Sequence, residues 1–208
     1  MTGRAAQIGV VVGLVAAVLA FPLREPLARA SRTPCTVTGT ARNDVLRGTA
    51  GPDVICGFGG RDAIFAGDGD DVLRGGDRGD VLNPGLGNDL VLGGSGPDQV
   101  SYGGDSRPVV VNLTDRKATG VGRDRLRGIE GAVGGSRADR LIGSPEDNLL
   151  RDHDGNDIIR GRAGDDVLIA GEDDDHLFGG PGDDVLNGGP GVDRCRQGLG
   201  HGTKISCP

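Results

Sequence analysis

Along most of this chain one aliphatic residue recurs at every ninth position, between polar neighbours and behind a glycine-rich stretch. The clearest copy is AGDGDDVLR (66–74), and GRAGDDVLI (161–169) and GGPGDDVLN (179–187) repeat it. Within each unit the aliphatic residue is eighth. It is Leu46, Ile55, Ile64, Leu73, Leu82, Val91 and Val100, then Leu141, Leu150, Ile159, Leu168, Leu177 and Leu186, with Cys195 in the last unit. Residues seven to nine predict a short strand whose eighth side chain points inward, because side chains alternate along a strand. A unit this short buries its apolar residue only by stacking on neighbours, so the pattern predicts an all-β solenoid.

Seven units run without a gap over 39–101 and seven more over 134–196. Residues 102–133 break the phase. Within them PVVVNL (108–113) predicts a strand, and TGVGRDRLR (119–127) carries Gly120, Gly122, Asp124 and Leu126 at the second, fourth, sixth and eighth places of a degenerate unit. The expectation is an N-terminal repeat block (31–101), an irregular insertion that pauses the stack (102–133), and a C-terminal block with a cysteine-containing cap (134–208). A hinge between two independent rolls is the alternative.

The sixth position carries the candidate chemistry. It is Asp44, Asp53, Asp62, Asp71, Asp80, Asp89 and Asp98 in the first block. In the second it is Asp139, Asn148, Asp157, Asp166, Asp175, Asp184 and Asp193. The fourth position is glycine except at Arg42, Arg78, Arg137, Glu146 and Asp173. Glycine reaches positive φ without penalty and lets the backbone approach an ion. Calcium takes six to eight hard oxygen ligands, which turn carbonyls and carboxylates supply. Solvated charge is the plainer reading of any single aspartate; recurrence in phase with turn glycines favours an ion for the row.

These units resemble the calcium-binding repeats of the repeats-in-toxin family, also called haemolysin-type repeats, over 39–196. The resemblance implies a right-handed parallel β-roll in which two nonapeptides make one 18-residue coil. It also implies Ca2+ between turns stacked on the same side. Each aspartate would then work with the one 18 residues away: Asp53, Asp71 and Asp89 in one row, Asp44, Asp62, Asp80 and Asp98 in the other. In the second block the rows are Asp139, Asp157, Asp175 and Asp193, and Asn148, Asp166 and Asp184. The pairs Asp53–Asp71, Asp71–Asp89 and Asp166–Asp184 are expected to be best, and turns with Arg42, Arg78, Arg137 or Glu146 weaker. Family repeats usually accompany a catalytic, pore-forming or adhesive domain and a C-terminal export signal. The chain is expected to depart on both counts, so toxin or protease activity is not carried over.

Aromatic residues make up 2% of the chain and tryptophan is absent, so little core exists besides the aliphatic column. That predicts a chain that orders when calcium binds. At the N terminus, Arg4, an apolar run over 8–21 and Ala28-Arg29-Ala30 have the layout of a secretory signal peptide (1–30). The run falls short of the roughly 20 residues of a membrane span, an uncleaved anchor being the alternative. The formal net charge of −7 and the lack of any basic cluster argue against nucleic acid or an anionic membrane as partner. No stable membrane insertion is expected, and an extracellular polysaccharide or protein partner stays open.

Cys35, Cys56, Cys195 and Cys207 sit at the ends of the array. In an exported chain they favour disulfides within each end; a metal site is the rival reading but lacks C-x-x-C spacing. His153, His176 and His201 read as turn, strand and tail residues, and the run Glu172 to Asp175 belongs to a repeat. The expected function is therefore an exported, non-enzymatic calcium-binding roll. The alternative is a small polysaccharide-modifying or carbohydrate-binding protein on the same roll, weakened by the lack of an off-repeat cluster of reactive side chains.

Overall fold

Each unit ends in a strand because residues seven and nine face outward while the eighth is apolar and turns in. The computed structural model describes residues 33–207; the segment read as a signal peptide lies outside them. The strands are β1 (Val37–Thr38), β2 (Val45–Arg47), β3 (Val54–Gly59), β4 (Ala63–Phe65), β5 (Val72–Asp77), β6 (Val81–Asn83) and β7 (Leu90–Ser95). Next come β8 (Gln99–Ser101), β9 (Val110–Asn112), β10 (Lys117–Thr119), β11 (Arg123–Arg127), β12 (Gly131–Val133) and β13 (Arg140–Ile142). The last are β14 (Leu149–Arg151), β15 (Ile158–Arg160), β16 (Val167–Ile169), β17 (His176–Phe178), β18 (Val185–Asn187), β19 (Arg194–Arg196) and β20 (Thr203–Ile205).

Alternate strands build two facing sheets of 11 and nine strands. Within a block every pairing is parallel at a spacing of 18 residues, as in Ile55↔Leu73↔Val91 and Leu150↔Leu168↔Leu186. The fold is the all-β, parallel solenoid that the repeat predicts. Its core is the eighth-position column: Ile55, Ile64, Leu73, Leu82, Val91, Leu141, Leu150, Ile159, Leu168, Leu177 and Leu186 are fully buried. At the ends, Cys35 bonds Cys56 and Cys195 bonds Cys207. Each bridge ties down a terminal coil that has a stacking neighbour on one side alone.

Residues 102–133 supply strands to both sheets, and the pause expected there is confined to one side. In the nine-stranded sheet β12 lies parallel between β8 and β14, so that stack runs through. In the 11-stranded sheet three strands stand between β7 and β13. Of these β11 is parallel to β7, β9 is parallel to β13, and β10 joins them antiparallel to both. PVVVNL becomes β9, and the degenerate unit becomes β11 with Leu126 buried beside Val91. Tyr102, Val109, Val111, Leu113, Ala118, Val121 and Ile129 fill the space beneath this three-stranded meander. The two blocks thus share one continuous core.

Candidate metal centres

The turn before each strand places the sixth-position carboxylate inside the stack. Among the sixth-position residues, Asp62, Asp71, Asp80, Asp89, Asp98, Asp157, Asp166, Asp175, Asp184 and Asp193 are all buried. Each turns back along the solenoid, so its Oδ1 accepts the backbone N–H of the sixth residue one coil earlier. These bonds run from Asp44 N–H to Asp62, Asp53 to Asp71, and onward to Asp175 N–H on Asp193, at 2.7–3.1 Å. The rows expected at 18-residue spacing are thus physically stacked within each block.

The second carboxylate oxygen divides the turns into two kinds. At Asp44, Asp53 and Asp139 it is closed off by the turn itself, and at Asn148, an amide, the single oxygen is. Thr40 N–H and Oγ1 donate to Asp44 Oδ2 at 2.6 and 2.8 Å, and Thr49 N–H and Oγ1 to Asp53 Oδ2 at 2.7 and 2.9 Å. Gly135 N–H donates to Asp139 Oδ2, and Ser144 N–H to Asn148 Oδ1 at 2.6 Å. At the other ten sixth-position aspartates, Asp62 to Asp98 and Asp157 to Asp193, Oδ2 is buried with no hydrogen-bond partner.

Backbone conformation decides which kind forms. Open turns take left-handed φ at position two: Phe58, Gly67, Gly76, Gly85, Gly94, Arg162, Gly171, Gly180 and Gly189 have φ of 73–151°. Position four is left-handed too at Gly60, Gly69, Arg78, Gly87, Gly96, Gly155, Gly164, Asp173 and Gly182, with φ of 76–145°. Left-handed φ at position two swings that N–H away from the carboxylate. A threonine resists positive φ because its branched Cβ collides with the backbone, so Thr40 and Thr49 keep the N–H on the aspartate and close the turn. Arg78 and Asp173 adopt the left-handed form without glycine, whereas Arg42, Arg137 and Glu146 do not. His153, ahead of Asp157, is an open turn without left-handed φ at position two, and the structure gives no reason for it.

The ten orphaned oxygens fit a hard cation. A Cβ added to Gly57 would strike both Asp62 Oδ2 and the Gly75 carbonyl, and one on Gly161 would strike Asp166 Oδ2. Glycine leaves the cradle free at Gly57 and Gly161, whereas the open turns of Asp71, Asp89, Asp157 and Asp175 carry Ala66, Pro84, Asp152 and Ala170 at the same position. No three His, Cys, Asp or Glu side chains converge as a ready cluster among the described residues, so a carboxylate there would share an ion with backbone carbonyls. Burial disfavours the charged form: it pushes Asp89 up to about 8, Asp98, Asp157 and Asp166 to about 7, and Asp175 to about 6. Burial also raises Asp62, Asp71, Asp80 and Asp184, with neighbouring carboxylates adding to it. Asp53, in a closed turn, is lowered by the Thr49 N–H and the Thr36 and Thr49 hydroxyls.

Several residues of the site lie off the expected pattern. Asp124 continues the Asp53–Asp71–Asp89 row by accepting Asp89 N–H at 3.1 Å, and its Oδ2 takes the Tyr102 hydroxyl. Glu130 continues the opposite row: its Oε2 accepts Asp98 N–H at 3.0 Å, and its carbonyl accepts Asn148 Nδ2. Asp152, at the first position of its unit, is buried beside Asp139 and Asp157, and burial pushes it up to about 9. A second, exposed ladder uses position five and points the other way. There Asp70 Oδ1 accepts Asn88 N–H, Asp147 accepts Asp165, Asp165 accepts Asp183, and Asp183 accepts His201, at 2.6–2.8 Å. The sequence signal for it is the doublet of Asp or Asn before the sixth-position aspartate, as in Gly-Asp-Asp and Gly-Asn-Asp.

Comparison with known families gives one match. Residues 38–73, 65–100, 133–168 and 161–195 match the family described as RTX calcium-binding nonapeptide repeat (4 copies). Those segments cover more than half of the chain and leave out the three-stranded meander. No curated protein matches the chain.

Proposed function

The chain belongs to the RTX calcium-binding nonapeptide repeat family, and from that premise we propose that it is an exported, non-enzymatic β-roll whose folding depends on calcium held in its open turns. The observation that carries this reading is the set of buried carboxylate oxygens with no partner. A buried polar atom without a hydrogen bond costs about 1–3 kcal/mol. Ten of them stacked in rows, beside carboxylates of the same charge, oppose the fold until a cation neutralises them.

Asp62, Asp71, Asp80, Asp89, Asp98, Asp157, Asp166, Asp175, Asp184 and Asp193 would hold the ions together with carbonyls of the turns around them. The closed turns at Asp44, Asp53, Asp139 and Asn148 are assigned a different role. The second oxygens of the three aspartates and the single amide oxygen of Asn148 are already satisfied, so these turns order the first coils of each block without metal. Calcium supplies flexible, high-coordinate oxygen binding, which small octahedral magnesium does not match. Affinities in the range of extracellular modules, about 10⁻⁴ to 10⁻³ M, suffice outside a cell.

Export is supported by the apolar N-terminal run of the sequence and by the two disulfides, which form and persist in oxidising compartments. The test is circular dichroism of chelator-stripped protein titrated with calcium, with magnesium as the control. A cooperative gain of β signal with calcium alone is expected. A spectrum fully β in chelator and indifferent to calcium would overturn the reading.

A further inference from the structure

The outer surface of the 11-stranded sheet changes character along its length. On β3, β5 and β7 its outward residues include Val54, Val72, Leu90 and Leu92, and Arg74 lies against the Cys35–Cys56 bridge. From β11 onward Lys and Arg hold about half of the outward positions, among them Lys117, Arg123, Arg125, Arg127, Arg140 and Arg160. In β11 the pattern alternates, with Arg123, Arg125 and Arg127 exposed and Asp124 and Leu126 buried. Register sets Arg125 beside Lys117 and Arg123 beside Thr119, on strands that are direct neighbours. Two strands further on, Val110 of β9 pairs with Arg140, and Ile142 pairs with Arg160. No outward position of β9, β10, β11, β13, β15, β17 or β19 is Asp or Glu. The acids of these coils sit in the turns.

The absence of any basic cluster in the linear sequence is therefore corrected in three dimensions. Strands about 4.8 Å apart bring residues that are well separated in sequence, such as Val110 and Arg140, into one field. The meander, absent from the regular repeat, supplies its densest part. Within an acidic protein this face is positive, and the turn rows on either side are negative. Charges segregated in this way attract an anionic polymer to one strip and repel it from the flanks.

We infer that this face, centred on Lys117, Arg123, Arg125 and Arg140, binds an acidic polysaccharide bearing sulfate or carboxylate groups. The inference rests on the reading of the protein as one that works outside the cell. Guanidinium groups pair two-pronged with sulfate and carboxylate oxygens. The strip is a sheet surface that a linear, extended chain can follow. Around Lys117, Arg123, Arg125 and Arg140 no outward aromatic ring offers a base a stacking platform, and Phe178 of β17, further along the face, is already covered by the Arg160 guanidinium at 5.3 Å. The strip also presents no helix or ribbon to enter a duplex groove. Lys117, Arg123 and Arg125 are exposed and Arg140 is half-buried on the outer face, so replacing them leaves the calcium turns untouched.

The test uses the full chain in saturating calcium at physiological salt. Its probes are dextran sulfate, carboxymethyl dextran, uncharged dextran, a DNA duplex and anionic phospholipid vesicles. Binding to both charged dextrans and none to uncharged dextran is expected. The quadruple variant Lys117→Gln/Arg123→Gln/Arg125→Gln/Arg140→Gln should bind at least tenfold more weakly, with a salt dependence shallower by roughly three ions. Arg42→Gln/Arg61→Gln, in the turns of the first block, should bind like the wild type. The inference is overturned if neither charged dextran binds, if the quadruple variant binds like the wild type, or if DNA or vesicles bind as tightly as the dextrans. Circular dichroism against calcium on the same proteins keeps the two readings apart. An unaltered calcium midpoint in the quadruple variant shows that its fold is intact, and indifference to calcium in every protein would strike the metal reading alone.

Discussion

Tyr102 donates its hydroxyl to Asp124 Oδ2 at 2.6 Å, with both side chains buried where the meander joins the stack. In the open turns the equivalent oxygen has no partner. Here a phenol occupies it, and the negative charge of Asp124 together with burial raises the tyrosine well above its ordinary range. Tyr102 thus does for Asp124 what Thr49 does for Asp53, from across the core instead of within the turn. Tyr102→Phe removes the donor and keeps the ring. In saturating calcium it should cost about 1–3 kcal/mol, read as a lower urea midpoint. A midpoint equal to that of the wild type would mean that Asp124 finds another donor.

The two kinds of turn make opposite predictions for the same substitution. Asp166→Asn in an open turn keeps the Oδ1 acceptor for Asn148 N–H and removes the charge at the orphaned oxygen. It should raise the calcium midpoint by about tenfold, equivalent to about 1.4 kcal/mol, and reduce the ions bound in calorimetry. Asp53→Asn in a closed turn weakens the charge-assisted bonds from Thr49 and Thr36. It should lower stability by roughly 1–2 kcal/mol and leave the number of bound ions unchanged. Equal stoichiometric loss in both variants would dissolve the distinction.

The repeat made the solenoid legible because two periods agree. Alternation along each strand turns Leu73 or Leu168 inward, and the 18-residue coil stacks it on Val91 or Leu186. The sixth-position rows were legible for the same reason. The open and closed turns were hidden in position two, where Thr40, Thr49 and Ser144 look like ordinary polar turn residues until φ is known. Arg78 and Asp173 show why glycine count alone misleads: neighbouring coils hold them left-handed, at a strain of order 1–3 kcal/mol. The meander was half legible. The sequence shows its strand at 108–113 and its degenerate unit at 119–127; the antiparallel β10 rests on local pairings that no apolar alternation marks, and the substitution of Glu130 for an aspartate and the role of Tyr102 depend on contacts across 32 and 22 residues. The basic face was invisible for a similar reason, since its members lie on strands that the linear order separates.

The Cys195–Cys207 bridge closes 12 residues of the last coil. A loop of that size is worth about 3 kcal/mol when cross-linked. In a solenoid each coil touches its neighbours alone, so the effect of removal should stay local. Cys195→Ser/Cys207→Ser should speed hydrogen exchange in β18, β19 and β20 and leave β13 and β14 as slow as before. A uniform acceleration through both blocks would show that the cap supports the whole stack.

Calcium and protons compete for the same oxygens, and the sign of the competition is fixed. An unfolded aspartate titrates near 3.8, whereas burial in the calcium-free roll moves Asp175 to about 6, Asp98, Asp157 and Asp166 to about 7, and Asp89 to about 8. Between these limits the folded chain holds more protons than the unfolded one, so calcium-free stability falls as pH rises from about 4 to about 8. Asp53 alone among the resolved sixth-position acids runs the other way: its depressed value contributes stability above 3.8 that is lost as pH falls. One such group does not outweigh the raised row. Calcium requires the charged form and displaces the protons, so its apparent affinity should climb over the same window. In chelator, the residual β signal should be larger at pH 5 than at pH 8; in saturating calcium the urea midpoint should be higher at pH 8 than at pH 5. Calorimetry at pH 6.5 in two buffers of different ionisation enthalpy should register protons released as calcium binds. A binding heat independent of buffer would place the ions away from the buried carboxylates.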